Sequence, residues 1–322
     1  MINALRAEIR RLFSRRLTLL ALLGLLALVG LFQLQVNQMV TPPSPETVAA
    51  AQQEYQDYLK EWEAHHEEWE AECVAEGQSA EECETTRPEP SEYEYGMSAT
   101  PFDNAATIAV EVGVYLGGMV VFIAMASFIG AEVGTGSLAN WLTFVPNRRR
   151  VFVSKLLVVA GFSLLVGLAI GALTVAAAVV LTSAHGQPLT GLAEVTATAL
   201  RGSLVVMIFG VLGFALALLT GSTGATIGIL LGGVFVLYVR IILTFGSRWA
   251  QRLSRWSPEV NLQAVLDNGA TYTIDAGSEP VGEDYRTIEK TLSLVHGLGY
   301  WAVVLAVAIT VTWLVFRRRD VT

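Results

Sequence analysis

The sequence predicts an all-α polytopic membrane protein: six transmembrane helices, an N-terminal interfacial helix, an extracellular helical hairpin and a smaller second outer subdomain. Three observations carry that prediction. Of 322 residues, 53% are hydrophobic and only 16% charged, whereas a soluble domain has about 25% charged residues. Mean hydropathy is +0.50, and the apolar residues fall in runs at 16–38, 105–131, 154–182, 196–219, 223–244 and 297–316. Each run has about the 20 residues that a helix needs to cross a hydrocarbon core ~30 Å thick. Lipid offers no water to backbone groups, so each run must satisfy its own hydrogen bonds as a helix; strands of a barrel would alternate in segments of about ten residues.

Charge sets the expected orientation. Residues 40–100 hold 16 acidic and 2 basic side chains, which leaves +6 of the net −8 for the rest of the chain. The basic clusters are Arg6, Arg10, Arg11, Arg15 and Arg16, then Arg148, Arg149, Arg150 and Lys155, then Arg317, Arg318 and Arg319. Short Lys- and Arg-rich loops stay on the cytoplasmic side. Six spans put all three clusters there, with both termini cytoplasmic and the loops 39–104, 183–195 and 245–296 outside. Arg240, Arg248, Arg252 and Arg255, at or beyond the outer end of the fifth span, run against this orientation.

Residues 1–15 place Ile2, Leu5, Ile9, Leu12 and Phe13 at helical spacing with Arg6 and Arg10 on other faces, as in a helix lying in the membrane interface. The first apolar run is too long for a signal peptide and lacks a small-residue cleavage site, so it reads as a retained span. In the 39–104 loop, Ser44-Pro45-Glu46 is a helix start. Val48, Tyr55, Trp62 and Trp69 then recur every seven residues, a seam that wants a partner helix. Ser79-Ala80-Glu81-Glu82 resembles a capping box opening a short second helix. Cys73 and Cys83 flank that turn, and an extracellular pair at this separation reads as a disulfide. His65 and His66 beside them match no familiar zinc spacing, so no metal is assigned. In the 245–296 loop, Trp249, Leu253 and Trp256 alternate with Arg248, Arg252 and Arg255 as in an interfacial helix ended by Ser257-Pro258. Thr271–Ile274 and Tyr285–Ile288 form a small hairpin.

The chain shows no chemistry of its own. No phosphate-cradling loop ends in Gly-Lys-Ser/Thr: Gly221-Ser222-Thr223-Gly224 lacks the lysine. No Ser/His/Asp or Cys/His arrangement falls at membrane depth. An enzyme is therefore not expected, nor a nucleic-acid partner, and energy for transport would have to come from another chain.

The stretch from Glu132 to Lys155 carries a resemblance. It reads acid, Gly134-Thr135-Gly136, a short apolar segment with Leu138, Trp141, Leu142 and Phe144, then Pro146, Arg148–Arg150 and Lys155 opening the third span. This order resembles the permease subunits of six-span ABC exporters, as do the N-terminal interfacial helix, Ser257-Pro258 before the last span, and the ending Phe316-Arg317-Arg318-Arg319-Asp320-Val321. The long acidic hairpin departs from the commonest members, whose first outer loop is shorter. The resemblance implies a non-catalytic permease of the bacterial cytoplasmic membrane that works with a second permease copy or paralogue. Two cytoplasmic ABC ATPase subunits would carry the ATP and magnesium, and this chain would hold no cofactor. It implies that 132–153 is the coupling loop, with Glu132, Gly136, Leu138, Trp141, Leu142 and Phe144 meeting the ATPase. The apolar side chains at about one-turn spacing suit a groove on a soluble partner. An alternative is a membrane-anchored binding or sensory protein acting through the acidic hairpin.

Two further sets are candidates. Glu111 is the one carboxylate within a span, where such groups are costly and often functional; it is expected to pair with Arg201 or to line a substrate path. Gly224, Gly228 and Gly232 recur every four residues, as do Gly113 with Gly117 and Gly167 with Gly171. Such stripes let helices approach closely, either at a subunit interface or within one bundle.

Overall fold

The computed structural model describes residues 2–75, 83–84, 87–89, 98–137, 143, 147–244, 251, 253–275 and 287–318. Six of its helices are long and apolar enough to cross a membrane. In chain order the elements are α1 (Ile2–Phe13), α2 (Arg16–Val40), α3 (Pro45–Ala75), α4 (Phe102–Gly134), α5 (Arg148–Ala184), α6 (Leu192–Thr220), α7 (Thr223–Thr244), a 3-10 turn at Ser254–Trp256, α8 (Pro258–Leu266), β1 (Gly269–Asp275), β2 (Thr287–Ser293) and α9 (Leu294–Arg318). The long helices extend past the apolar runs because local caps carry them on. The Asn147 side chain accepts from the Arg150 amide at the start of α5, and Gly221 takes a left-handed conformation (φ 68°) in the tight α6–α7 turn.

The bundle is built around α4 and α6. In their apolar windows 61% and 67% of residues are buried, against 6% for α7 and 11% for α9. Small residues make that core possible. A methyl on Gly213 of α6 would lie 2.6 Å from the Phe122 carbonyl of α4, and one on Gly167 of α5 would lie 2.7 Å from Ser203 Cα of α6. The stripes Gly113/Gly117 and Gly167/Gly171 are therefore contacts within this one chain: the first packs on Ile170, the second on Ser203 and Ala199. The third stripe differs. Among the described residues Gly228 and Gly232 meet nothing within 4 Å, and Gly224 would meet only Ser222 Oγ, at 3.9 Å.

One end of the bundle, the basic face, carries α1, the α4–α5 link, the α6–α7 turn and the end of α9. Arg148 Nη1 donates to the Arg317 carbonyl at 3.0 Å across it. The opposite, acidic face carries α3 and the α8–β1–β2 unit. α3 is a 31-residue helix. Its return limb lies alongside: Tyr55 donates to the Pro88 carbonyl, Arg87 pairs with Glu63 at 3.2 Å, and Cys73 and Cys83 are joined by a disulfide with Cα atoms 5.7 Å apart. The second helix expected from Ser79–Glu82 lies outside the described residues.

In the other outer unit, Ser257-Pro258 opens a helix as well as ending a turn. Proline at the first position and Glu259 behind it start α8. β1 pairs antiparallel with β2 from Gly269↔Ser293 to Asp275↔Thr287, so the hairpin forms with its second strand later than Tyr285–Ile288. Val260, Ala264, Ala270 and Leu292 make a small core beneath it. Trp249, Arg248 and Arg252 lie outside the described residues. Arg240 forms an ion pair with Glu259 at the start of α8, which neutralises one of the arginines that opposed the charge-based orientation.

This packing separates two kinds of glycine. Gly167→Leu, driven against Ser203 backbone, is expected to cost about 2 kcal/mol or more and to lower the thermal midpoint of the detergent-purified chain. Gly228→Leu should leave that midpoint unchanged. Equal midpoints for the two variants in scanning fluorimetry would contradict the assignment.

Candidate functional site

The site forms where the basic face gathers three helix ends. α1 is amphipathic, but its buried side is not purely apolar. Leu12 and Glu8, one turn apart, are both fully buried (0% exposed), while Ile9 and Phe13 stay about half exposed. The expected apolar face is thus rotated toward the bundle, and it carries a carboxylate inward. Glu132 ends α4 in its last turn, and Lys155 lies in the second turn of α5.

These three meet. Lys155 Nζ donates to Glu8 Oε2 at 2.8 Å and to Glu132 Oε2 at 2.5 Å, and the side chains of Lys155, Glu8 and Glu132 are 2%, 0% and 7% exposed. Arg11 Nη1 stands 3.8 Å from Glu8 Oε1, so two carboxylates face two cations and the cluster is neutral overall. Phe128 supports it: Lys155 Nζ lies 5.3 Å from its ring centre and the Arg15 guanidinium 5.2 Å. Arg15 also donates to the Ser127 carbonyl at 3.0 Å. Cations this close to an aromatic face are attracted by its quadrupole.

The consequence is mechanical. Taking an ion from water into a low-dielectric interior costs several kcal/mol, and only close partners offset it. No member can leave without stranding a buried charge, so the triad ties α1 to the facing ends of α4 and α5. Those two ends are the feet of the link at 135–147. At its start Gly136 has φ 69°, a left-handed conformation that costs other residues about 1–2 kcal/mol. Thr135 and Ser137 hydroxyls donate back to the Ala131 and Glu132 carbonyls. Leu138, Trp141, Leu142 and Phe144 lie outside the described residues.

Glu111 and Arg201 do not pair. The Arg201 guanidinium is held on its own helix and on α8: it donates to Glu194 at 2.7 Å, to Thr198 at 2.9 Å and to the Leu266 carbonyl at 2.8 Å. The pairing fails because Glu194 and the free carbonyl at the end of α8 are better placed. Burial pushes the Asp267 carboxyl above its ordinary range, opposed by a hydrogen bond with Gln263 and the nearby Arg201. Arg201 thus ties α6 to the end of α8.

Compared with protein-family models, curated proteins and solved structures, the chain matches none. Function must therefore be argued from the site itself. Among the described residues no cluster of three or more His, Cys, Asp or Glu side chains could hold a metal. The arrangement on the basic face binds helix ends together; it presents no nucleophile beside a base.

Glu8 was missed in the sequence because it sits among five arginines, where a lone acid looks like surface charge. The available signal was its position: it falls between Leu5 and Leu12, on the face that those leucines bury. Lys155 was visible only as a basic residue flanking a span.

Lys155→Met leaves two buried carboxylates facing each other and is expected to destabilise the chain by about 3–5 kcal/mol. The triple variant Lys155→Met/Glu8→Gln/Glu132→Gln should recover most of that loss. Thermal unfolding in detergent checks both, and a single variant as stable as the wild type would remove the triad from the account.

Proposed function

We propose that the chain is the membrane-spanning permease subunit of an ATP-driven exporter, moving a substrate outward when a separate cytoplasmic ABC ATPase drives it. The observation that supports this most is the Glu8–Lys155–Glu132 triad. A permease without a nucleotide site needs a stiff element that takes force from a soluble partner and passes it to several helices at once. The triad joins α1, α4 and α5 at the base of the 135–147 link, so a push on that link reaches all three together.

In this reading the basic face is cytoplasmic, both termini lie there, and α3 and the α8–β1–β2 unit stand outside a bacterial plasma membrane. ATP and magnesium belong to the two ATPase partners. Leu138, Trp141, Leu142 and Phe144 contact them, with Trp141 as anchor because buried aromatics dominate interfaces, and Glu132 and Gly136 fix the base of the contact. A second copy packs on α7, whose Gly224, Gly228 and Gly232 meet nothing beyond one serine among the described residues and whose Leu231, Phe235 and Val236 are exposed. Glu111, the carboxylate within α4, is the candidate for the substrate path in this reading.

The test is co-purification of the full chain with any ABC ATPase encoded beside its gene, in mild detergent or nanodiscs. The wild type should bring down a stoichiometric ATPase, while Trp141→Ala and Leu138→Asp should lose it yet keep the same thermal midpoint. No ATPase with the wild type would sink the proposal and favour a surface-binding role for the acidic α3 limb.

A further inference from the structure

Between α2 and α5 runs a groove of about 290 Å³ in which every lining side chain is apolar. Leu25, Val29 and Ile170 form its buried floor. Phe13 and Phe162 close its end at the basic face, edge to face with ring centres 5.8 Å apart. The α5 wall runs from Phe162 to Leu173, about 16 Å at 1.5 Å per residue. That is close to the ~15 Å of one leaflet, half of the hydrocarbon core. The α2 wall, Leu22 to Val29, lies in the half of α2 nearer the basic face.

The residues flanking the groove's Phe13 end in sequence are cationic. Arg10 and Arg16 stand three residues either side of Phe13, and both are exposed. Arg11 and Arg15 are already committed to Glu8 and to Ser127 with Phe128, but among the described residues neither Arg10 nor Arg16 takes part in an ion pair. A second copy is a poor occupant, because its own basic face would bring arginines against these arginines. A peptide would find no hydrogen-bonding side chain along the groove. What matches an apolar slot one leaflet deep with two exposed arginines flanking its Phe13 end is a lipid with an anionic head.

We propose that the groove binds one acyl chain of an anionic glycerophospholipid, with Arg10 and Arg16 meeting its phosphate. The site is independent of any ATPase and needs only that the six spans lie in a bilayer. A lipid seated there would press on Phe13, the end of the helix that carries Glu8, and so would bear on the same block of helices from the membrane side.

The test uses the full-length chain in micelles doped with equal amounts of phosphatidylglycerol and phosphatidylcholine, and native mass spectrometry of the lipid retained. The wild type should keep one phospholipid per chain and prefer phosphatidylglycerol at least about tenfold. Arg10→Gln and Arg16→Gln should each reduce that preference about fivefold, as expected for losing one guanidinium near an anionic head. Ala169→Phe, which fills the slot, should retain neither lipid. Leu26→Trp serves as a second filling variant should Ala169→Phe prove unstable in thermal unfolding. Equal retention of the two lipids, or retention unaffected by filling the groove, would overturn the proposal. So would a wild-type dimer that Ala169→Phe converts to monomer, because a second copy would then be the occupant.

Discussion

A buried ammonium is tolerable only where carboxylates reach it, and on the basic face two do. That constraint organises this end of the molecule. Glu8 comes from residue 8 and Lys155 from the second turn of a helix far along the chain, so their bond closes a long loop in sequence and fixes where α1 must lie. Without it, α1 would be an amphipathic helix free to float in an interface. With it, α1 is a strut bonded to the ends of α4 and α5. The cost of separating the charges, several kcal/mol for each ion left alone, is what makes three helix ends behave as one body.

The rest of the bundle divides into a rigid centre and loosely held flanks. α4, α5 and α6 interlock through glycines that bring backbones into contact, at Gly167 on Ser203 and Gly213 on Phe122. α7 and α9 pack on this centre with little of their own surface buried. Such a division suits a molecule in which a stiff block transmits force while peripheral helices meet lipid or a second copy. The acidic face is braced separately, with Arg201 bonding α6 to the end of α8 and Arg240 paired with Glu259. Each face thus has a charge-based tie of its own, and the apolar centre lies between them.

How much of this could be read from the residues follows from which forces act locally. The six long helices were legible because their length and apolar content are imposed by the medium they are fitted to cross. The Cys73–Cys83 bridge was legible from its short separation together with the expected placement outside the membrane. Partners of buried charges were not, because they depend on which helix faces which: Glu111 and Arg201 looked like a pair at similar depth, yet Arg201 reaches Glu194 and the Leu266 carbonyl instead. Glu8 was hidden for the opposite reason, since composition made it look like one more surface charge. The start of α8 was hidden because Ser257-Pro258 serves as both a stop and a start. The glycine stripes show the limit most plainly. Three stripes of equal spacing look alike in sequence, and only packing separates Gly113/Gly117 and Gly167/Gly171, which are filled, from Gly228 and Gly232, which are open.

The central claim is that Glu8, Lys155 and Glu132 hold α1 and the ends of α4 and α5 as one body. Spin labels at Arg6→Cys on α1 and Arg149→Cys on α5, on a chain whose two native cysteines are bridged, measure it directly by pulsed electron resonance. The wild-type background should give one narrow distance distribution, and Lys155→Met should broaden it. A distribution equally narrow in wild type and Lys155→Met would show that apolar packing alone fixes α1, and that the triad is not what joins these helices.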